Sequence, residues 1–158
     1  ASERVRLFLP TPKRLRLGLS FLYEGTRHQL HAVNTGVPHA VLFSSKPDRV
    51  DLERLGPAVR HHRLFKPAGT NLDLVQITAP HKLTIRTYER GVEAETQACG
   101  TGAVASVVIG AALGRLRSPV EVTPKSQEKL TIGFGKNPAQ WDNLHLEGPA
   151  KILFEGAI

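Results

Sequence analysis

Short apolar segments, many alternating with polar residues, recur along most of the chain. This pattern, rich in Val, Ile, Leu and Thr and interrupted by Gly, Pro, Asn and Asp, is typical of β-strands joined by turns. It predicts strands at residues 14–22, 29–33, 40–44, 72–78, 82–88, 120–123, 129–134, 144–147 and 151–154.

One segment has the spacing of an amphipathic helix. Apolar residues at 51–60 recur at helical intervals, and Asp48 or Asp51 precedes them as a candidate N-cap. The sequence therefore predicts a short helix with one buried face.

A second segment, residues 103–113, is apolar on every side of a helix and carries a single hydroxyl and no charge. Such a helix is buried in protein. It is also much shorter than the roughly 20 residues that span a bilayer. Thr101 is the predicted N-cap, and Gly114 is predicted to end the helix.

Many short strands with one fully buried helix predict an α+β fold. We expect an antiparallel, barrel-like sheet that wraps around one buried central helix. The length of 158 residues fits a single domain, and no internal repeat or linker divides the chain.

The chain contains one cysteine, Cys99, so no internal disulfide and no Cys-x-x-Cys metal pair can form. We therefore expect a reducing, cytoplasmic location and no metal site. The longest apolar run among the first ten residues is Leu7-Phe8-Leu9, which predicts neither a signal peptide nor a membrane anchor.

The net charge of +7 raises the question of nucleic-acid binding. The basic residues are scattered, and few aromatic residues stand between them to stack on bases. This pattern disfavours nucleic acid as a partner, and a solvated face or an acidic metabolite explains the charge equally well. A non-catalytic module that binds anions or nucleic acid remains an alternative.

Cys99 lies where a charged loop meets the apolar helix. Free amides at a helix start lower the pKa of a cysteine and attract a carboxylate or phosphate, so Cys99 is a candidate reactive thiol. The alternative is an inert buried cysteine. Glu89 and Arg90 precede it, and they supply a proton acceptor and a carboxylate-binding group, or only a surface ion-pair cluster.

His39 and Asn71 are the other candidates. His39 enters a predicted strand and fits either a general base or a core histidine. Asn71 follows a Gly-Thr pair and fits either a turn residue or a ligand for an amine. Sequence spacing leaves both choices open.

Three segments together resemble the diaminopimelate epimerase family. They are residues 34–41 (Asn-Thr-Gly-Val-Pro-His-Ala-Val), residues 69–75 (Gly-Thr-Asn-Leu-Asp-Leu-Val), and Glu89-Arg90-Gly91 with residues 95–102 (Glu-Thr-Gln-Ala-Cys-Gly-Thr-Gly). They occur in the family's order, and the resemblance extends from a strand near Val5 to Leu153.

This resemblance implies two similar domains, each a barrel-like sheet around a helix, with the active site in the cleft between them. Each domain supplies one cysteine, and the two thiols work on opposite faces of the substrate α-carbon without a cofactor. The reaction interconverts LL- and meso-diaminopimelate for lysine and cell-wall synthesis. Residues 1–158 resemble the C-terminal half, so the N-terminal half is the implied partner, and a homodimer stays open.

The resemblance also implies roles for single residues. Cys99 is one acid/base group, Glu89 is its proton partner, and His39 matches the histidine that pairs with the other cysteine. The backbone amides or hydroxyl of Gly100 and Thr101 would bind the reacting carboxylate. The distal end of diaminopimelate would be held by Arg90 and Asn71.

Two departures from the family pattern stand out. Val37 occupies a position where some members have a substrate-binding asparagine, and Asn34 is the nearby candidate to replace it. The loop at 92–95 is one residue longer than in the shortest members. A proline racemase-like or other two-cysteine racemase is the alternative enzyme, and Arg90, as partner for a second carboxylate, distinguishes the two.

Overall fold

A ten-stranded sheet and two α-helices account for the regular structure of the computed structural model, which describes residues 3–136, 140–152 and 156. The strands are β1 (Glu3–Phe8), β2 (Lys13–Tyr23), β3 (Thr26–Asn34), β4 (Pro38–Phe43), β5 (Asn71–Ala79), β6 (Lys82–Glu89), β7 (Ala94–Thr96), β8 (Val120–Thr123), β9 (Leu130–Gly133) and β10 (His145–Ala150). The helices are α1 (Leu52–Arg60) and α2 (Gly100–Ala112).

The sheet is mixed and open. Its strand order is β1-β10-β9-β8-β6-β5-β4-β3-β2, with β7 attached to β6. The pairs β4/β5 and β6/β8 are parallel, and the remaining pairs are antiparallel. The α+β class is confirmed, but the prediction of an antiparallel, barrel-like sheet is wrong. Each parallel pair needs a crossover connection, and α1 and α2 supply the two crossovers.

Eight of the nine predicted strands coincide with observed ones, from β2 to β6 and from β8 to β10. The exception is the segment 151–154: Lys151 and Ile152 lie outside any strand, and residues 153 and 154 lie outside the described residues. β1 forms the strand expected near Val5.

The strand β7 was not predicted, because its sequence is that of a polar loop. Pairing to β6 is reinforced by Glu95, whose two carboxylate oxygens accept hydrogen bonds from Nε and Nη2 of Arg86 at 2.8 and 2.9 Å. A two-point contact of this kind fixes both position and orientation.

The helix α1 begins as predicted. Asp51 is its N-cap, and the Asp51 carboxylate accepts a hydrogen bond from the backbone N–H of Arg54 at 3.2 Å. Leu52, Leu55 and Val59 form its buried face.

The helix α2 is buried over residues 102–111, as its apolar sequence predicted, and it contacts β3, β4, β5 and β9. Its N-cap is Cys99, not Thr101, which lies in the first turn. Gly114 takes a left-handed φ of +71° just after the helix, which confirms the predicted end. Within the described part of the chain, no helix has the length and apolarity to cross a membrane.

A glycine sets the distance between α1 and β6. A Cβ at Gly56 would overlap the Tyr88 ring and would lie 2.8 Å from the Tyr88 Cβ.

We predict that Gly56→Ala destabilises the chain by about 1–3 kcal/mol, because overpacking exceeds the gain of up to about 1 kcal/mol in helix propensity. Urea unfolding measures the change. The exposed control Arg54→Ala should stay within about 0.5 kcal/mol, and a stabilised Gly56→Ala variant would contradict the packing.

Candidate active site

The N-terminus of α2 meets the start of two parallel strands. In the register of β4 and β5, His39 lies beside Asn71. The first turn of α2 is held against these strands by the hydroxyl of Thr35, which donates to the Thr101 carbonyl at 3.0 Å. Candidates that are far apart in sequence therefore come together at one end of the helix.

His39 is fully buried and makes a close contact at each ring nitrogen. Its Nδ1 lies 2.7 Å from Oδ2 of Asp73, and its Nε2 lies 2.9 Å from Oγ1 of Thr101. Thr101 thus joins the histidine to the helix start instead of capping the helix.

Asp73 is a site residue that the sequence analysis missed. Its carboxylate is fully buried, and Oδ1 accepts a hydrogen bond from the hydroxyl of Thr87 at 2.7 Å. Gly102 makes room for it, because a Cβ at that position would overlap Oδ1 and lie 3.1 Å from the carboxylate carbon. Two features of the sequence could have indicated it. Asp73 is an acidic residue between two leucines of a predicted strand, and Gly102 lies three residues after the cysteine.

Cys99 is half-buried, and its Sγ lies 3.5 Å from Oγ1 of Thr101. Burial and then the charge of Asp73 raise the pKa of the thiol. Donation to the thiolate form by the Thr101 hydroxyl and the Gly102 N–H opposes that rise, and the charge of Glu89 adds a smaller rise. The expected lowering of the pKa is therefore wrong here, because burial and two carboxylates outweigh the helix start.

Glu89 is the last residue of β6, Arg90 follows it, and both are half-buried. Glu89 acts on Cys99 through its charge, and among the described residues no hydrogen bond joins their side chains. The Arg90 guanidinium donates to the Ala68 carbonyl through Nη1 at 3.0 Å. Among the described residues the guanidinium has no other hydrogen-bond partner, and the backbone N–H of Arg90 donates to Oδ1 of Asn71.

Asn71 is nearly buried, and its amide has three neighbours. Its Oδ1 accepts from the backbone N–H of Arg90 at 2.6 Å, and its Nδ2 donates to the Pro38 carbonyl at 3.0 Å. The same Nδ2 lies 3.4 Å from Nε2 of His39. Asn71 is thus part of the framework around His39, and its predicted contact with the distal end of a substrate stays a prediction.

The other two candidates lie at the edges of the site. Gly100 is the first residue of α2 and is exposed. Asn34 accepts a hydrogen bond from the Gly36 N–H at 2.9 Å through its side chain, which forms a turn before β4. Whether Asn34 replaces the asparagine missing at Val37 stays a prediction.

A cavity of about 570 Å³ adjoins His39 and Asn34, and Arg14, Arg16 and Lys66 also line it. The cations make it suited to an anionic group. Within the described ranges, no three side chains of His, Cys, Asp or Glu are grouped as metal ligands.

A sequence profile of the diaminopimelate epimerase family matches residues 31–137, which include every candidate named above. The chain belongs to the diaminopimelate epimerase family.

Curated relatives agree over almost the whole chain. The diaminopimelate epimerase of Chlorobaculum tepidum is 41% identical over 157 residues, which cover 99% of this chain and 58% of the relative. That of a Hydrogenobaculum species is 44% identical over 160 residues, which cover 99% of this chain and 56% of the relative. The chain therefore spans little more than half the length of these diaminopimelate epimerases.

Two solved structures share the fold. A hydroxyproline epimerase from Agrobacterium vitis, with bound trans-4-hydroxy-L-proline, matches with a TM-score of 0.72 and 15% identity, over 92% of this chain and 49% of that one. A probable proline racemase from Agrobacterium radiobacter matches with a TM-score of 0.67 and 15% identity, over 97% and 54%. At this identity the likeness concerns the fold alone.

The thiol environment gives a testable pH dependence. Because the pKa of Cys99 is raised, alkylation by iodoacetamide should still increase above the pH at which an ordinary cysteine levels off. Thr101→Val removes the hydroxyl that donates to the thiolate and thereby lowers this pKa, so alkylation at pH 7.5 should slow by about two- to tenfold. Mass spectrometry follows the rate, Thr26→Val on β3 is the matched control, and faster alkylation of Thr101→Val would contradict the assigned contact.

Proposed function

We propose that this chain is the C-terminal domain of a diaminopimelate epimerase, an isomerase that interconverts LL- and meso-diaminopimelate without a cofactor. Cys99 serves as one of two acid/base cysteines. The observation that carries the proposal is the half-exposed thiol at the start of α2, joined through Thr101 to a buried histidine. The family membership of the chain supports the substrate.

The chemistry requires two groups. The α-proton of an amino acid is a weak acid, and inversion needs its removal from one face and delivery to the other. The raised pKa of Cys99 keeps this thiol protonated near neutral pH. We therefore assign Cys99 to proton delivery in the first half of a turnover, while a second thiol in the other domain removes the proton.

Glu89 and His39 assist the proton transfer. The Glu89 charge acts directly on the thiol, which fits a proton partner for Cys99. We assign His39 to the cysteine of the other domain, as the family pattern implies. Its ring is also linked to Cys99 through Thr101, so His39 is placed to exchange a proton with either thiol.

The substrate is held by groups around the thiol. The first-turn amides of α2 at Gly100 and Thr101 suit the reacting carboxylate, because a helix start favours negative charge and stabilises the charge that develops. Arg90 suits the distal carboxylate, since a guanidinium binds a carboxylate at two points. Asn71 positions Arg90 through its backbone N–H, and its contact with the distal end is part of the proposal.

The proposed partner is an N-terminal domain with its own cysteine. The chain covers 58% and 56% of two relatives, which leaves room for such a domain. We further propose a cytoplasmic location and an arrangement in which the sheet curls about α2 as a central helix, supported by the burial of residues 102–111. A homodimer stays an open alternative.

A proline racemase-like activity is the second candidate, because the fold is shared with a hydroxyproline epimerase. A ring substrate with one carboxylate would need an apolar pocket where a diaminopimelate epimerase needs a cation. Arg90 beside the site favours diaminopimelate.

The split site predicts that residues 1–158 alone do not invert LL-diaminopimelate. Fusion behind the N-terminal half of the Chlorobaculum tepidum relative should restore inversion, and Cys99→Ala in the fusion should lower kcat by about 10²–10⁴-fold through loss of an acid/base group. Proton NMR in D₂O follows loss of the α-proton signal, and thermal unfolding checks that Cys99→Ala folds. Full activity of the chain alone would refute the proposal.

The role of Arg90 is tested in the same fusion. Arg90→Leu should raise KM for diaminopimelate by about 10- to 100-fold, because a hydrogen bond to a charged group is worth about 1.5–3 kcal/mol. Arg54→Leu, an exposed arginine on α1, is the matched control and should leave KM unchanged. If Arg90→Leu instead left the KM for diaminopimelate unchanged, the role of Arg90 at the distal carboxylate would be refuted, and the racemase-like alternative would replace the first.

A further inference from the structure

The two ring nitrogens of His39 face groups with different hydrogen-bonding capacity. We propose that Asp73 is a positioning residue that holds neutral His39 with its proton on Nδ1, and that it thereby directs the hydrogen bonds that run from Cys99 through Thr101 to Nε2 of His39. The acid/base role of these groups rests on the proposed function, but the direction of the hydrogen bonds does not.

The Nδ1 side is fixed by Asp73. A carboxylate is only an acceptor, so the 2.7 Å contact between Oδ2 and Nδ1 requires a proton on Nδ1. Thr87 donates to the other oxygen at 2.7 Å, which orients the carboxylate. Gly102 leaves the space in which the carboxylate lies against the first turn of α2.

The Nε2 side gives an independent indication. The Asn71 amide is oriented by two backbone groups: its oxygen accepts from the Arg90 N–H at 2.6 Å, and its nitrogen donates to the Pro38 carbonyl at 3.0 Å. The amide N–H₂ therefore faces Nε2 of His39 at 3.4 Å. A donor at this position fits an Nε2 that carries a lone pair.

An acceptor at Nε2 sets the direction of the remaining hydrogen bonds. The Thr101 hydroxyl donates to Nε2 across 2.9 Å, so its oxygen is left to accept from the Cys99 S–H across 3.5 Å. Transfer along this path would move the thiol proton to Thr101 and the Thr101 proton to Nε2. The products are a thiolate, to which the Thr101 hydroxyl then donates the proton it has received, and an imidazolium, which Asp73 stabilises.

The burial of Asp73 is consistent with a role beyond packing. A fully buried carboxylate costs several kcal/mol in lost hydration, and apolar residues of similar volume often replace buried charges without loss of stability. The contacts that compensate this carboxylate come from Thr87 and from the site histidine.

The unmodified chain provides the first test. In ¹⁵N-labelled protein at pH 8, the long-range ¹H–¹⁵N spectrum of the imidazoles reports which nitrogen carries the proton, and His39→Gln identifies the His39 signals. We expect a protonated Nδ1 and an unprotonated Nε2. A proton on Nε2, whether alone or with one on Nδ1, would overturn the proposal. This measurement does not involve activity, so it is independent of the failure or success of the proposed function.

The second test is Asp73→Asn. Where an aspartate orients a catalytic histidine, asparagine keeps the geometry but presents the wrong tautomer. We expect the His39 proton to move to Nε2, whereas Thr87→Val, which leaves the carboxylate in place, should keep it on Nδ1. Backbone amide spectra establish that both variants fold. An Nδ1 proton that persists in folded Asp73→Asn would overturn the proposal, and if that variant does not fold, the unmodified chain decides.

Discussion

The buried contact between Asp73 and His39 is the constraint on which the arrangement at the start of α2 depends. A carboxylate and an imidazole, both fully buried, lie 2.7 Å apart in neighbouring parallel strands. Removal of one partner from a buried pair costs about 3–5 kcal/mol, because the other is left uncompensated. The contact therefore couples the register of β4 and β5 to the position of α2, which Thr101 and Gly102 bring against the pair.

Sequence reasoning predicted the helices because their signals are local. The segment that forms α2 is apolar on every side, which is typical of a buried helix. The Asp51 N-cap and the amphipathic spacing of the residues after it defined α1. Most strands were predicted for the same reason, because their alternation of apolar and polar residues is also a local signal. The strand order could not be predicted, because parallel pairing of β4 with β5 depends on where the crossover through α1 returns the chain.

The failures lie where a tertiary contact overrides a local pattern. Asp73 alternates with Leu72 and Leu74, so it has the pattern of a solvent-facing strand residue, yet both faces of this part of β5 are buried. The polar sequence of β7 forms a strand because Arg86 fixes Glu95. Thr101 resembled an N-cap, but its hydroxyl bonds to His39. The candidate residues themselves were found through family motifs, and their spatial grouping required the fold.

The start of α2 illustrates why a helix terminus at a site differs from one elsewhere. In the described structure the side chain of the N-cap Cys99 accepts no capping hydrogen bond from a backbone N–H of the first turn, although a Ser, Thr, Asp or Asn cap would add about 1 kcal/mol. A side-chain cap would occupy the amide donors that the proposed function assigns to the substrate carboxylate. The thiol lies instead 3.5 Å from the Thr101 hydroxyl, and in the thiolate form this hydroxyl and the nearby Gly102 N–H oppose the rise in pKa caused by burial and Asp73. The helix thus lacks capping stability at the position where the proposed function requires free donors and a thiol. The burial of the turns that follow supplies the stability that the first turn lacks.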